Sequence, residues 1–371
     1  MPLDHLDSIQ SIQTKSLLSY HSSQGRPVAV APPFPAIEEL CWNARYEVQR
    51  LLGQGTQGVV YLARREGVDG YHTNVALKLF PRQAEVGEDK YVQEMHRIAR
   101  QAQRVSQIQH DNIISIRDFV AIEETRVMVM EWVDGRNLQE LLDLSRLETL
   151  RQRIPPPAWE HLHEVIVTPG EQHVALKPGI AVDILRGCLA GLSSLHHAGI
   201  AHCDLKPANI MVKRTGTKKI VDLDSSSLLK TEKPTFRGTP YYMAPEQLEG
   251  NPIRLRSDVA SLGYLLIELL TGKLLFRDIE TLDDLLAAKR KIPHDLHKLL
   301  PKEARDDELL FGLISKMIAF DPEERFADAD AAELDRVGAV SFHRHLVKTD
   351  LDTEYGRELA WWLELLSEHG L

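Results

Sequence analysis

Residues 201–212 read AHCDLKPANIMV, a polar stretch between apolar runs that brings Asp204, Lys206 and Asn209 within six consecutive positions. A carboxylate, an ammonium and an amide so close together cannot be buried without partners. The stretch therefore reads as a loop holding reactive side chains between packed elements. A second stretch, LGQGTQGVVYLA, spaces Gly53, Gly55 and Gly58 as GxGxxG ahead of Val60. A dinucleotide-binding fingerprint would open a helix here, whereas Val59, Val60 and Tyr61 continue a strand. The glycines therefore turn a hairpin, and amides on such a turn can close over phosphates because no Cβ stands in the way. Twenty residues past Gly58 the apolar strand NVALK ends in Lys78. A lysine on a core strand needs a partner, and an anion in a cleft would supply one.

Gly53, Gly55, Gly58, Val60, Lys78, Asp204, Lys206, Asn209 and Asp222 follow one another as in the signature series of the eukaryotic-type (Hanks-type) serine/threonine protein kinases, which the sequence resembles. GTPYYMAPE at 238–246 resembles the end of an activation loop, SDVASLG the helix that anchors a catalytic loop, and DPEERF at 321–326 supplies Arg325. The resemblance covers about residues 46–326. It implies an α+β bilobal fold, with a small β-rich N-lobe carrying one helix and a larger, mainly α-helical C-lobe.

The resemblance also implies roles. Lys78 would grip the α- and β-phosphates of ATP, Asp222 and Asn209 would hold Mg2+ through hard oxygens, Asp204 would accept the proton of the substrate hydroxyl, and Lys206 would neutralise the transferred phosphoryl. Adenine would lie between Val60 and Ala76 on one side and Met211 on the other, bonded to the backbone around Glu131 and Val133, with Met130 as gatekeeper. Lys206 and Thr239 resemble the serine/threonine class, so the expected substrates are proteins. Glu246 with Arg325 and Asp258 with the catalytic-loop backbone would be structural contacts. The alternative activity is a nucleotide-binding pseudokinase acting as a scaffold; a small-molecule kinase is a third.

Four positions depart from the pattern. Counting back nine residues from HDNI lands on Gln101, where the family carries the Glu that pairs with the strand lysine; Glu94, two helical turns earlier, is the favoured partner, and Gln101, which could hydrogen-bond Lys78 without supplying charge, is the alternative. Cys203 replaces the usual Arg before Asp204, removing one cation for a loop phosphate. The magnesium motif reads Asp222-Leu223-Asp224, with Leu for Phe and Asp for a conformationally free Gly. Ser225, Ser226, Ser227, Thr231 and Thr235 are candidate autophosphorylation sites.

The elements that would position these residues are legible from pattern. YEVQRLLGQGTQGVVYLARR, NVALKLF, ISIRDFVAIE and RVMVMEWV read as strands of an antiparallel sheet. One helix interrupts them, with Met95, Ile98, Ala102, Val105 and Ile108 at helical spacing. GIAVDILRGCLAGLSSLHHAG and RSDVASLGYLLIELLTG read as buried helices closed by Gly. The domain reading is an arm at 1–44 with a PxxP at Pro32 and Pro35, a kinase domain at 45–326 (N-lobe 45–133, C-lobe 134–326), and a helical extension at 327–371. An insert at about 144–178 carries His161, His163 and His173, read as an exposed loop rather than a metal site. Tyr355, Leu359, Trp362, Leu363 and Leu366 share one helical face, expected to pack on the large lobe. The arm, the insert and this helix are the candidate docking surfaces.

Composition bounds the rest. With 44 basic and 54 acidic side chains the net charge is −10, which argues against a nucleic-acid partner. Cys41, Cys188 and Cys203 form neither a disulfide framework nor a zinc pattern. The acidic N-terminus is unlike a signal peptide, and VASLGYLLIELLTG is too short to span a bilayer. The expectation is a cytoplasmic protein without direct membrane insertion.

Overall fold

The structure is a computed structural model and describes residues 39–41, 45–55, 58–82, 87–122, 125–228, 239–349 and 354–371. The arm with Pro32 and Pro35, and Thr231 and Thr235, lie outside them. The chain divides into two compact units, one taking in the residues up to Met95 together with Arg117–Trp132, the other His96–Ile116 and Val133–Leu371. Two units, one a sheet and one mainly helical, are the α+β bilobal class that the sequence pattern implies.

The first unit is a six-stranded antiparallel sheet of β1 (Glu39–Cys41), β2 (Arg45–Gly55), β3 (Gly58–Glu66), β4 (His72–Phe80), β5 (Ile116–Ile122) and β6 (Thr125–Glu131), ordered β1-β2-β3-β4-β6-β5. Alternating apolar residues put Tyr46, Ala63, Val75, Leu77, Leu79, Val127 and Val129 into one core. Helix α1 (Glu88–Val105) follows β4 and turns Tyr91, Met95, Ile98, Ala102 and Val105 inward at alternating four- and three-residue steps. The division between units falls within this helix, after Met95. Past the helix, Asn112 Nδ2 donates to the Lys218 carbonyl (2.6 Å) and Ile113 bridges Ile220, all within the second unit.

In the second unit the segment expected as an exposed loop is folded. Leu147 and Leu150 are buried on α2 (Leu144–Arg153), α3 (Pro156–His161) continues into a π turn at Leu162–Ile166, and β8 (Val167–Pro169) pairs with β9 (Val174–Leu176). The prolines misled the sequence reading: Pro156 occupies the first helical position, where its missing N–H costs nothing. His161 contacts Glu358 at 2.7 Å and His173 Nδ1 contacts Glu268 Oε1 at 2.8 Å, so both are structural.

Two buried helices, α4 (Pro178–His197) and α5 (Leu255–Thr271), form the centre of this unit. By length and hydropathy α4 is the one described helix able to cross a membrane, and most of it is buried in the unit. A three-stranded sheet ordered β12-β11-β7 (Lys218–Ile220, Ile210–Lys213, Gly135–Asn137) and a pair formed by β10 (Ile200–Ala201) and β13 (Ser227–Leu228) carry the loops of interest. Helices α6 (Leu282–Leu299), α7 (Glu308–Met317) and α8 (Ala329–Leu334) follow. The last helix, α9 (Tyr355–Glu368), lays Leu359, Trp362, Leu363 and Leu366 on α4 and the π turn. Its apolar face is therefore covered by the chain itself. Gly179 permits this: a Cβ there would lie 2.3 Å from the Tyr355 ring.

Candidate active site

The loop between β10 and β11 is fixed from below by Asp258 on α5. One carboxylate oxygen accepts from the His202 amide (2.8 Å) and the other from the Cys203 amide (2.9 Å). Ala329 N–H donates to His196 Nδ1 (3.2 Å), which leaves Nε2 to donate to Asp258 Oδ2 (3.0 Å). Sequence reasoning missed His196; its only signal was a histidine on a helix otherwise apolar at the buried positions. Cys203 is held at φ 71°, a left-handed conformation costly for a residue with a Cβ, and its buried thiol lies 3.4 Å from the Ala201 carbonyl. It is a small buried residue where the resemblance leads one to expect an Arg.

Donors converge on Asp204. Thr239 N–H reaches Oδ1 at 2.9 Å, while Lys206 Nζ and Asn209 Nδ2 reach Oδ2 at 2.8 and 3.0 Å. Lys206 Nζ also donates to Thr239 Oγ1 (3.0 Å), and Asn209 Nδ2 to the Asp204 carbonyl (2.8 Å). Both partners of Asn209 Nδ2 are acceptors, so the NH2 faces Asp204 and the hard Oδ1 is turned away from it. The Val221 amide donates to the Asn209 carbonyl (2.9 Å), placing Asp222 immediately after this contact, at φ 62°. Among the described residues no three His, Cys, Asp or Glu side chains could hold a metal by themselves. Asn209 and Asp222 suit a Mg2+ that takes its other ligands from phosphate and water.

After Asp222, Leu223 is buried. Asp224 has no left-handed φ, so Asp in place of Gly imposes no backbone strain. Ser225 and Ser226 are 8% and 0% exposed, and Ser226 Oγ donates to the Leu223 carbonyl (2.6 Å). Neither is presented as a phosphorylation site, contrary to the expectation from their place in the activation-loop segment that the resemblance implies; Ser227 is paired with Ala201 in a strand. Gln101 spends its amide on the Ser226 carbonyl, a contact the sequence did not announce.

Past Thr239, Tyr242 donates its hydroxyl to Glu268, the carboxylate that also meets His173. Burial, and then the neighbouring carboxylate, push the Tyr242 hydroxyl well above the ordinary tyrosine range.

In the first unit, the candidate nucleotide residues lie on adjacent strands. Gly55 pairs with Gly58 and Gly53 with Val60. A Cβ on Gly58 would lie 2.1 Å from the Leu79 carbonyl oxygen. Val60 is opposite Lys78, Ala76 opposite Met130, and Val75 opposite Glu131. Lys78, Ala76 and Met130 are buried, and Lys78 Nζ lies 5.7 Å from the Phe80 ring centroid. Glu94 is half-buried on the part of α1 belonging to this unit. Val133 is buried and Met211 half-buried in the second unit.

The comparisons agree with this geometry. Serine/threonine-protein kinase PksC of Streptomyces coelicolor is 31% identical over 302 residues, 78% of this chain and 48% of that protein. Serine/threonine-protein kinase pkn3 of Myxococcus xanthus is 30% identical over 308 residues, 79% and 50% of the two chains, and PrkC of Bacillus subtilis 27% over 297 residues, 79% and 40%. The chain thus spans about half the length, or less, of the curated relatives it matches. The protein kinase domain family matches residues 46–335, which includes most of the described first unit, the second unit up to Asp335 and every residue of the Asp204 cluster, and the chain belongs to that family.

Proposed function

We propose that the chain is a serine/threonine protein kinase that transfers the γ-phosphoryl group of ATP, with Mg2+, to hydroxyls of protein substrates. The observation that carries the reading is the convergence of Lys206, Asn209 and Thr239 on one carboxylate, Asp204. The Thr239 and Asn209 contacts orient Asp204, whose oxygen accepts the substrate hydroxyl proton. Lys206, shared between Asp204 and Thr239, neutralises charge on the group in transfer. Asn209 Oδ1 and Asp222 would hold Mg2+, which when bound would neutralise charge on the phosphates. Lys78 is assigned to the α- and β-phosphates, with Glu94 as its partner because the amide of Gln101 is engaged elsewhere. Gly53, Gly55 and Gly58 are assigned to the phosphates, and Val60, Ala76, Met130, Met211 and the backbone of Glu131 and Val133 to the nucleoside.

The test is incorporation of labelled phosphate from ATP and Mg2+ into the chain and a generic protein acceptor, comparing wild type with Asp204→Ala and Asp222→Ala, each shown to be folded. Incorporation by wild type alone supports the reading. Nucleotide bound with no transfer would make the chain a pseudokinase, and label passing only to low-mass acceptors a small-molecule kinase.

A further inference from the structure

Two side chains of α1 close a clasp on the backbone that follows Asp222. Arg97 Nη2 donates to the Asp224 carbonyl (2.6 Å) and Nη1 to Gln101 Oε1 (2.5 Å), while Gln101 Nε2 donates to the Ser226 carbonyl. Gln101 is only 4% exposed, so its amide is committed to these contacts. The clasped segment is itself a tight turn, Ser226 N and Oγ both donating to the Leu223 carbonyl. Asp222 therefore lies between two anchors, the Val221–Asn209 contact before it and the clasped turn after it. Its left-handed backbone persists only if the surroundings over-determine it, and the clasp supplies part of that constraint.

The chemistry of position 101 is specific. It must accept from a guanidinium and donate to a carbonyl at once, which an amide can do and a carboxylate cannot. A Glu here would satisfy Arg97 but turn a lone pair toward the Ser226 carbonyl.

We propose that Gln101, oriented by Arg97, is a positioning residue for Asp222. It holds the turn after the metal-binding carboxylate through an uncharged contact, and is not a substitute for the acidic partner of Lys78. The inference rests on the assignment of Asp222 to Mg2+.

The test uses the full chain and the variants Gln101→Glu and Gln101→Leu, both close to the native volume, with thermal melting to establish folding. Amide hydrogen exchange is followed in peptides covering residues 222–228, and phosphate transfer is measured against Mg2+ concentration. The clasp predicts at least tenfold faster exchange in this segment in both variants. It also predicts at least a threefold rise in the Mg2+ concentration for half-maximal transfer, with the KM for the protein acceptor unchanged. Unchanged exchange overturns it. So does a Gln101→Glu variant as active as wild type or more so, the result expected if position 101 were the acidic partner's place. Exchange decides the clasp even for a wild type that transfers nothing, so failure of the kinase reading is distinguishable.

Discussion

Arg325 grips Glu246 through two parallel hydrogen bonds, Nη1 to Oε1 at 2.8 Å and Nη2 to Oε2 at 2.9 Å. Ser257 Oγ adds a third donor to Glu246 (2.7 Å), and Arg325 Nε donates to the Ala319 carbonyl (2.6 Å), so this buried pair is well satisfied. Removing one partner strands the other charge, at a cost of about 3–5 kcal/mol. Arg325→Met should therefore unfold at much lower denaturant. Arg325→Met with Glu246→Met should lose clearly less than the sum of the single changes, and additive losses in the double-mutant cycle would contradict a coupled pair.

Asp258 is buried, and its two oxygens serve two amides, of His202 and Cys203, in the loop that carries Asp204. Asp258→Ala leaves both without an acceptor, costing about 1–3 kcal/mol each, and releases Cys203 from its left-handed conformation. A folded Asp258→Ala protein should show kcat at least about tenfold lower with little change in KM for ATP. A variant with wild-type kcat would mean that Asp204 is positioned without the loop anchor.

Thr239 touches Asp204 through its amide and Lys206 through its hydroxyl. Thr239→Ser keeps both contacts and should retain activity, whereas Thr239→Ala leaves Lys206 with Asp204 alone and should lower kcat. Equal rates for the two variants, measured as initial velocities on one protein acceptor, would remove the hydroxyl from the mechanism.

The strands and the two buried helices were legible because period-two and period-3.6 patterns report burial directly, and the Asp204 cluster because its residue types sit close in sequence. Glu246–Arg325 and Asp258 were reached through the family resemblance, since nothing local links positions 79 or 55 residues apart. His196 and the Arg97–Gln101 clasp were missed for the same reason, being tertiary contacts of residues whose types are ordinary on a helix. Residues 144–178 were misread because prolines and histidines suggest a loop, while the decisive signal was Leu147 and Leu150 on one helical face with Ile154 buried just past its end. Ser225 and Ser226 show the limit of the resemblance: a place in the activation-loop segment marks hydroxyls that can be phosphorylated, and only burial decides what is presented.

Trp362 is 2% exposed on α9, whose apolar face lies on α4. Trp362→Ala should cost about 3–5 kcal/mol, an effect read by urea unfolding of the full chain. A loss under about 1 kcal/mol would be the value of a surface position and would mean that the helix is not docked in solution.

Lys289 is fully buried on α6. Its Nζ donates to the Tyr241 carbonyl at 2.7 Å and lies 3.7 and 4.2 Å from the ring centroids of Tyr264 and Phe276. Burial holds its pKa well below the ordinary lysine value; Arg325 pushes the same way and Glu246 opposes. Between that lowered pKa and the unfolded value of about 10.4, the unfolded chain binds more protons at this position than the folded one. Stability from this group is then complete above the unfolded value and is lost progressively as pH falls toward the folded one. Lys289→Met has no such proton to bind, so its stability relative to wild type should be larger at about pH 7 than at about pH 10. Urea unfolding of both proteins at about pH 7 and about pH 10 checks the sign. Parallel stabilities at the two pH values would mean that the ammonium keeps its ordinary affinity, held by the Tyr241 carbonyl and the two aromatic faces.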